Sequence, residues 1–70
     1  MSKEILTTRE MEVFSLLVKN YTTKEKSNEL GISEKTVRNH ISNVMQKLEV
    51  TSRTSAVIEL LKLNLFEIND

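Results

Sequence analysis

Residues 22–40 read TTKEKSNELGISEKTVRNH, and this stretch decides the fold. Thr22 followed three residues later by Glu25 is a capping box, in which each side chain satisfies a free backbone N–H of the other residue. A short helix is therefore expected from Thr22 to Leu30. Gly31 then supplies the left-handed backbone a sharp turn needs. Ser33 is a favoured cap for the next helix. The layout is two helices joined by a glycine turn. One residue breaks it: Lys26 lies four positions before Leu30, on the face that should point inward.

The second helix of the pair is the more informative. Val37, Ile41, Val44 and Leu48 fall within about 60° of one another at the α-helical repeat, with Met45 at the edge. This predicts a helix ending near Leu48 or Glu49. The opposite side carries Lys35, Asn39, Ser42 and Gln46, flanked by Arg38 and Asn43. Thr36, His40 and Lys47 lie on a shoulder nearer the core. Every amphipathic helix has a polar face, so polarity alone is not a signal. The kind of polarity is: amides and cations dominate, and Glu34 is the one acid between Ile32 and Leu48. An ordinary surface helix mixes Glu with Lys at four-residue spacing. Arg and Lys suit guanine edges, and Asn and Gln suit adenine. Residues near the start of such a helix usually enter the groove. Lys35, Arg38, Asn39 and Ser42 are therefore the candidate base readers, ahead of Gln46.

The flanks complete a four-helix pattern. Thr7 and Glu10 form a capping box at the start of a first helix, with Met11, Phe14, Leu17 and Val18 at helical spacing and Val13 and Leu16 widening the face. It should end near Asn20. A last helix follows Ser52 and runs to about Leu63, where Asn64 suits the left-handed position. Leu65, Phe66 and Ile68 would fold back or pack elsewhere. On this last helix Ala56, Val57, Leu60 and Leu63 form one apolar arc. Ile58 and Leu61 point away from it, with Thr54 on the same side. That second stripe either covers the first helix or the tail, or it meets a second copy of the chain.

With 70 residues, this is one domain. It has one glycine, no proline and no cysteine, so the composition points to an all-α domain without a disulfide framework. The absence of cysteine weakly favours the cytoplasm. No apolar run approaches the roughly 20 residues a membrane span requires, and no signal peptide is evident. His40 is a lone histidine without a partner at metal-ligand spacing. It is either a phosphate or backbone donor or an ordinary boundary residue. No nucleophile–base constellation or glycine-rich phosphate loop is legible, so no enzyme and no cofactor are expected. The net charge is zero, which counts mildly against nucleic acid, but its distribution is uneven. Residues 30–53 carry a surplus of two positive charges and residues 54–70 a surplus of two negative ones.

Residues 5–68 resemble the LuxR-type (GerE-type) helix-turn-helix domain, found at the C-terminus of many bacterial response regulators and in stand-alone spore regulators. The stretches that carry the resemblance are LTTREMEVF, LGISEKTVRNHISNVMQKLEV and RTSAV. It implies a tetrahelical helix-turn-helix fold and a sequence-specific, double-stranded DNA-binding transcription regulator. The third helix would read the major groove, and subunits would pair through the fourth helix. Carried over by position, base reading falls on Arg38, Asn39 and Ser42, with Lys35 adjacent. Backbone contacts fall on Thr23, Lys24, Ser33, Thr36, His40 and Lys47, with Asn43 beside them. The dimer surface falls on Thr54, Ile58 and Leu61. Paired recognition helices would then lie about 34 Å apart, one turn of DNA. The resemblance implies DNA, a second copy and RNA polymerase as partners, with no membrane and no small-molecule ligand. It also implies a cytoplasmic, nucleoid-associated protein. No receiver or ligand-binding domain is present in these 70 residues; if the chain is complete, synthesis and turnover should set its activity.

Members of this family usually read E-I-A where this chain has Glu25, Lys26 and Ser27. A fully buried, unpaired ammonium costs several kcal/mol, on the order of the penalty for any desolvated ion. The expectation is that the Lys26 stem packs while its charge reaches water, where it could meet a phosphate. The Ser27 hydroxyl is expected on the Thr23 carbonyl. A protein-interaction module that kept the fold and lost DNA binding is the competing reading, supported by the zero net charge and by Lys26.

Overall fold

The computed structural model describes residues 6–63. It contains four helices in chain order: α1 (Thr8–Val18), α2 (Thr23–Leu30), α3 (Glu34–Leu48) and α4 (Arg53–Lys62). The expected turn at Asn64 and the packing of Leu65, Phe66 and Ile68 lie outside the described residues. The caps predicted from sequence all form. Thr7 and Glu10 exchange both capping-box hydrogen bonds, as do Thr22 and Glu25. Ser33 accepts from the Thr36 N–H, and Ser52 from the Ser55 N–H.

Three helices end by the same device. After α1 the Tyr21 N–H reaches the Leu16 carbonyl, after α2 the Ile32 N–H reaches the Ser27 carbonyl, and after α3 the Val50 N–H reaches the Met45 carbonyl. Each closure needs one residue in the left-handed region. These are Asn20 (φ 71°), Gly31 (φ 68°) and Glu49 (φ 58°). Only the second is a glycine, so only that turn stood out in the sequence.

α3 is the central element and packs against each of the other three helices. Val37, Ile41 and Val44 are buried and meet Val13 and Phe14 from α1, Ala56 and Leu60 from α4, and Leu6. Burying side chains of this kind contributes about 1.5–3 kcal/mol each. Met11, Leu17, Leu30, Ile32, Met45, Leu48, Val50 and Val57 pack around this centre. Leu63, expected in the apolar arc of α4, is instead 44% exposed. It lies at the end of α4, one turn past Leu60, the last core residue among those described.

The two unusual residues of α2 behave differently from expectation. Lys26 does not reach water: it is 2% exposed. Its Nζ donates to the Tyr21 carbonyl at 3.1 Å, at the corner between α1 and α2. A backbone acceptor lay within reach of the stem, so the charge turned inward to it. The ammonium is therefore not free to meet a phosphate. The Ser27 hydroxyl donates to the Lys24 carbonyl at 2.9 Å, three residues back rather than four.

Candidate nucleic-acid interface

The polar side of α3 is open along its length. Lys35, Arg38, Asn39, Ser42, Asn43 and Gln46 are all exposed, while Val37, Ile41 and Val44 on the other side are buried. This follows from the sequence period: the apolar stripe fixes the rotation of α3, and the amide and cation side chains must then face outward. Thr36 and His40 are half-buried on the shoulder. Ser33 is exposed, caps α3, and also donates its hydroxyl hydrogen to Thr36 Oγ1 at 2.9 Å. At the start of α2, Lys24 is exposed and Thr23 half-buried. α2 packs on α3.

Local electrostatics modulate this face. Arg38 Nη1 lies 3.7 Å from Glu34 Oε1, with both side chains about half exposed. An exposed pair of this kind is worth little and yields readily to another acceptor. Lys47 is held more firmly. Its Nζ donates to Glu10 Oε1 at 2.6 Å, and that carboxylate is almost wholly buried. The same Oε1 accepts the Thr7 N–H at 2.9 Å. One oxygen thus caps α1 and ties it to the end of α3. Burial pushes the Glu10 carboxyl upward. The Lys47 hydrogen bond, the Thr7 N–H and the charges of Lys47 and His40 outweigh it and hold the group below its ordinary 4.5. Burial lowers the Lys26 ammonium below its ordinary 10.5, and the Arg53 charge acts in the same direction.

On α4, Thr54 is exposed, and Ile58 and Leu61 are 48% and 37% exposed. They leave an apolar stripe that the helix does not use for its own core. Among the described residues no helix is long and apolar enough to cross a membrane.

Sequence reasoning did not find the Glu10–Lys47 link. Its two residues are 37 positions apart, and the one local signal was Glu10 in the capping box. It also missed Leu6 as a core residue. Leu6 precedes the Thr7 cap, with Met11 five residues on, the spacing of a hydrophobic staple, which could have found it.

Comparison with known proteins bears on this geometry. The family model for bacterial regulatory proteins of the luxR family matches residues 4–60. The chain belongs to the luxR family. It is 63% identical over 67 residues to the spore germination protein GerE of Bacillus subtilis, covering 96% of this chain and 90% of that protein. It is 50% identical over 58 residues to the transcriptional regulatory protein DegU of Brevibacillus brevis and 45% identical over 64 residues to the response regulator VraR of Staphylococcus aureus. The matches cover 83% and 91% of this chain, but only 25% and 31% of those longer regulators. A solved structure of the transcription factor GerE superposes with a TM-score of 0.92 at 54% identity, over 96% of this chain and all of that one. The luxR-family chain is thus a helix-turn-helix DNA-binding transcription regulator and not an enzyme.

Proposed function

We propose that this luxR-family chain recognises a specific double-stranded DNA sequence as a dimer, with α3 in the major groove. The observation that carries the reading is the exposed amide and cation face of α3, set opposite a fully buried apolar stripe. Lys35, Arg38, Asn39 and Ser42 read base edges. Thr23, Lys24, Ser33, Thr36, His40 and Asn43 hold the phosphate backbone and fix the register. Lys47 joins them: its ammonium gives Glu10 one of its three N–H donors, and its side chain remains 36% exposed. Subunits pair through Thr54, Ile58 and Leu61 of α4, whose exposed apolar atoms support the assignment. Such a regulator works in the cytoplasm on the nucleoid and acts through RNA polymerase. The likeness to a spore germination protein supports targets among sporulation genes.

Selection of binding sites from random DNA tests this. The expected result is a paired half-site with centres one helical turn apart. Affinity for it should fall roughly a thousandfold between 50 and 200 mM salt, as six or more phosphate contacts require. Failure to enrich any sequence at any salt overturns the reading in favour of a protein-interaction module.

A further inference from the structure

A helix start is often fixed by two apolar side chains, one just before the cap and one at the fourth helical position, which clasp across the first turn. In α1 these positions hold Leu6 and Met11, and in α3 they hold Ile32 and Val37, all four in the apolar core. α2 has a capping box but not this apolar pair. Its fourth position is Lys26, and the residue before its cap is Tyr21. Here the clasp is polar. Lys26 Nζ donates to the Tyr21 carbonyl at 3.1 Å, while the Lys26 backbone N–H donates to the Thr22 carbonyl at 2.8 Å. One residue therefore holds two successive carbonyls of the segment leading into α2.

The capping box of Thr22 and Glu25 and the Tyr21 N–H on the Leu16 carbonyl also act at that end, but no apolar side chain of α2 packs there. Besides Lys26, the buried residue of α2 is Ser27, whose hydroxyl is engaged within its own helix. The packed apolar side chain of α2 is Leu30, at the far end. The start of α2 is where Thr23 and Lys24 stand. A backbone contact to DNA tolerates little misplacement, because the donor must meet a phosphate already fixed by the rest of the interface.

We propose that Lys26 is a positioning residue for DNA binding: its buried ammonium, bonded to the Tyr21 carbonyl, sets the start of α2 so that Thr23 and Lys24 reach a phosphate. This rests on the DNA-binding reading above. Lys26, at 2% exposure, makes no contact with DNA itself. An apolar residue there would pack at least as well, but it would leave the Tyr21 carbonyl to water and the corner held by its backbone and capping-box bonds alone.

The test uses the full chain and its Lys26→Met variant, which keeps side-chain length and removes the donor; Lys26→Leu serves as a second apolar replacement. On the site selected by the wild type, both variants should bind about tenfold more weakly, the size of one lost charge-assisted hydrogen bond. The slope of log affinity against log salt should fall by about one, as for one lost phosphate contact, with base preference unchanged. Without DNA, amides at the start of α2 should exchange faster in the variants, even though global stability rises. Unchanged affinity and salt slope overturn the positioning role alone, as does a loss of base preference, which would mean that α3 itself had moved. A wild type that selects no DNA overturns the binding reading, and the positioning role with it.

Discussion

Replacing Lys26 with Met should stabilise the protein. Lys26 is 2% exposed, and its ammonium meets a carbonyl rather than a carboxylate. Desolvating a charge costs several kcal/mol on the order found for buried ions, and a hydrogen bond from a charged donor returns about 1.5–3 kcal/mol. The methylenes are buried in both side chains and cancel. The net gain on substitution is about 1–2 kcal/mol. In a domain of this size each kcal/mol moves the unfolding midpoint by about 4–8 °C, so a rise of roughly 5–15 °C is expected. Circular dichroism melts and urea titrations at pH 7 measure it. The pH dependence gives a second handle. The Lys26 value is lowered in the folded state, so the folded protein binds this proton less tightly than the unfolded chain. The wild type therefore gains stability as pH rises from the lowered folded value toward 10.5, and the advantage of the Met variant should shrink over that interval. A lower midpoint for Lys26→Met would refute the reasoning, because the Tyr21 bond would then outweigh the burial of charge. A gain that stays constant up to the ordinary lysine value would refute it too.

Glu10→Gln should cost about 1–3 kcal/mol, reduced from the figure for a fully buried pair because Lys47 is partly solvated. Glu10 is depressed below 4.5, so its contribution is present above that pH and lost as pH falls through the folded value. Urea titrations of both proteins should therefore converge toward acid. Gly31→Ala should cost about 1 kcal/mol from the left-handed backbone alone, since a Cβ there meets nothing within 4 Å; thermal melts check it. Arg38→Ala should weaken the selected site roughly 5- to 100-fold and relax the preference for one base; equal weakening on all sequences in a binding titration would make Arg38 a phosphate contact only. Ile58→Asp combined with Leu61→Asp should give monomers in sedimentation, and a surviving dimer would place the interface elsewhere.

The helices, their four caps and the glycine turn were legible in the residues because each is written over three or four neighbouring positions. Thr7 with Glu10, Thr22 with Glu25, Ser33 and Ser52 all act where spacing puts them. The stripe Val37, Ile41, Val44 fixed which side of α3 faces out, and hence the candidate reading face. The ends of α1 and α3 fell where spacing put them, near Asn20 and at Leu48, but their left-handed turn residues were not legible. Asn20 and Glu49 adopt the left-handed conformation without being glycine, because the following backbone hydrogen bond compensates for the strain.

The sequence by itself determined what depends on local periodicity: an all-α chain, four helices and a polar, cationic face on the third. Tertiary structure decided what depends on where elements meet. Lys26 turned inward because the end of α1 offered a carbonyl within reach of its stem, and no local rule states where that carbonyl lies. Lys47 found Glu10 across 37 residues because packing of α1 on α3 brought a capping carboxylate to the end of α3. Leu63 stayed exposed because, among the described residues, the core ends one turn before it. A side chain's period is set by its own helix, but its partner is set by the neighbouring one.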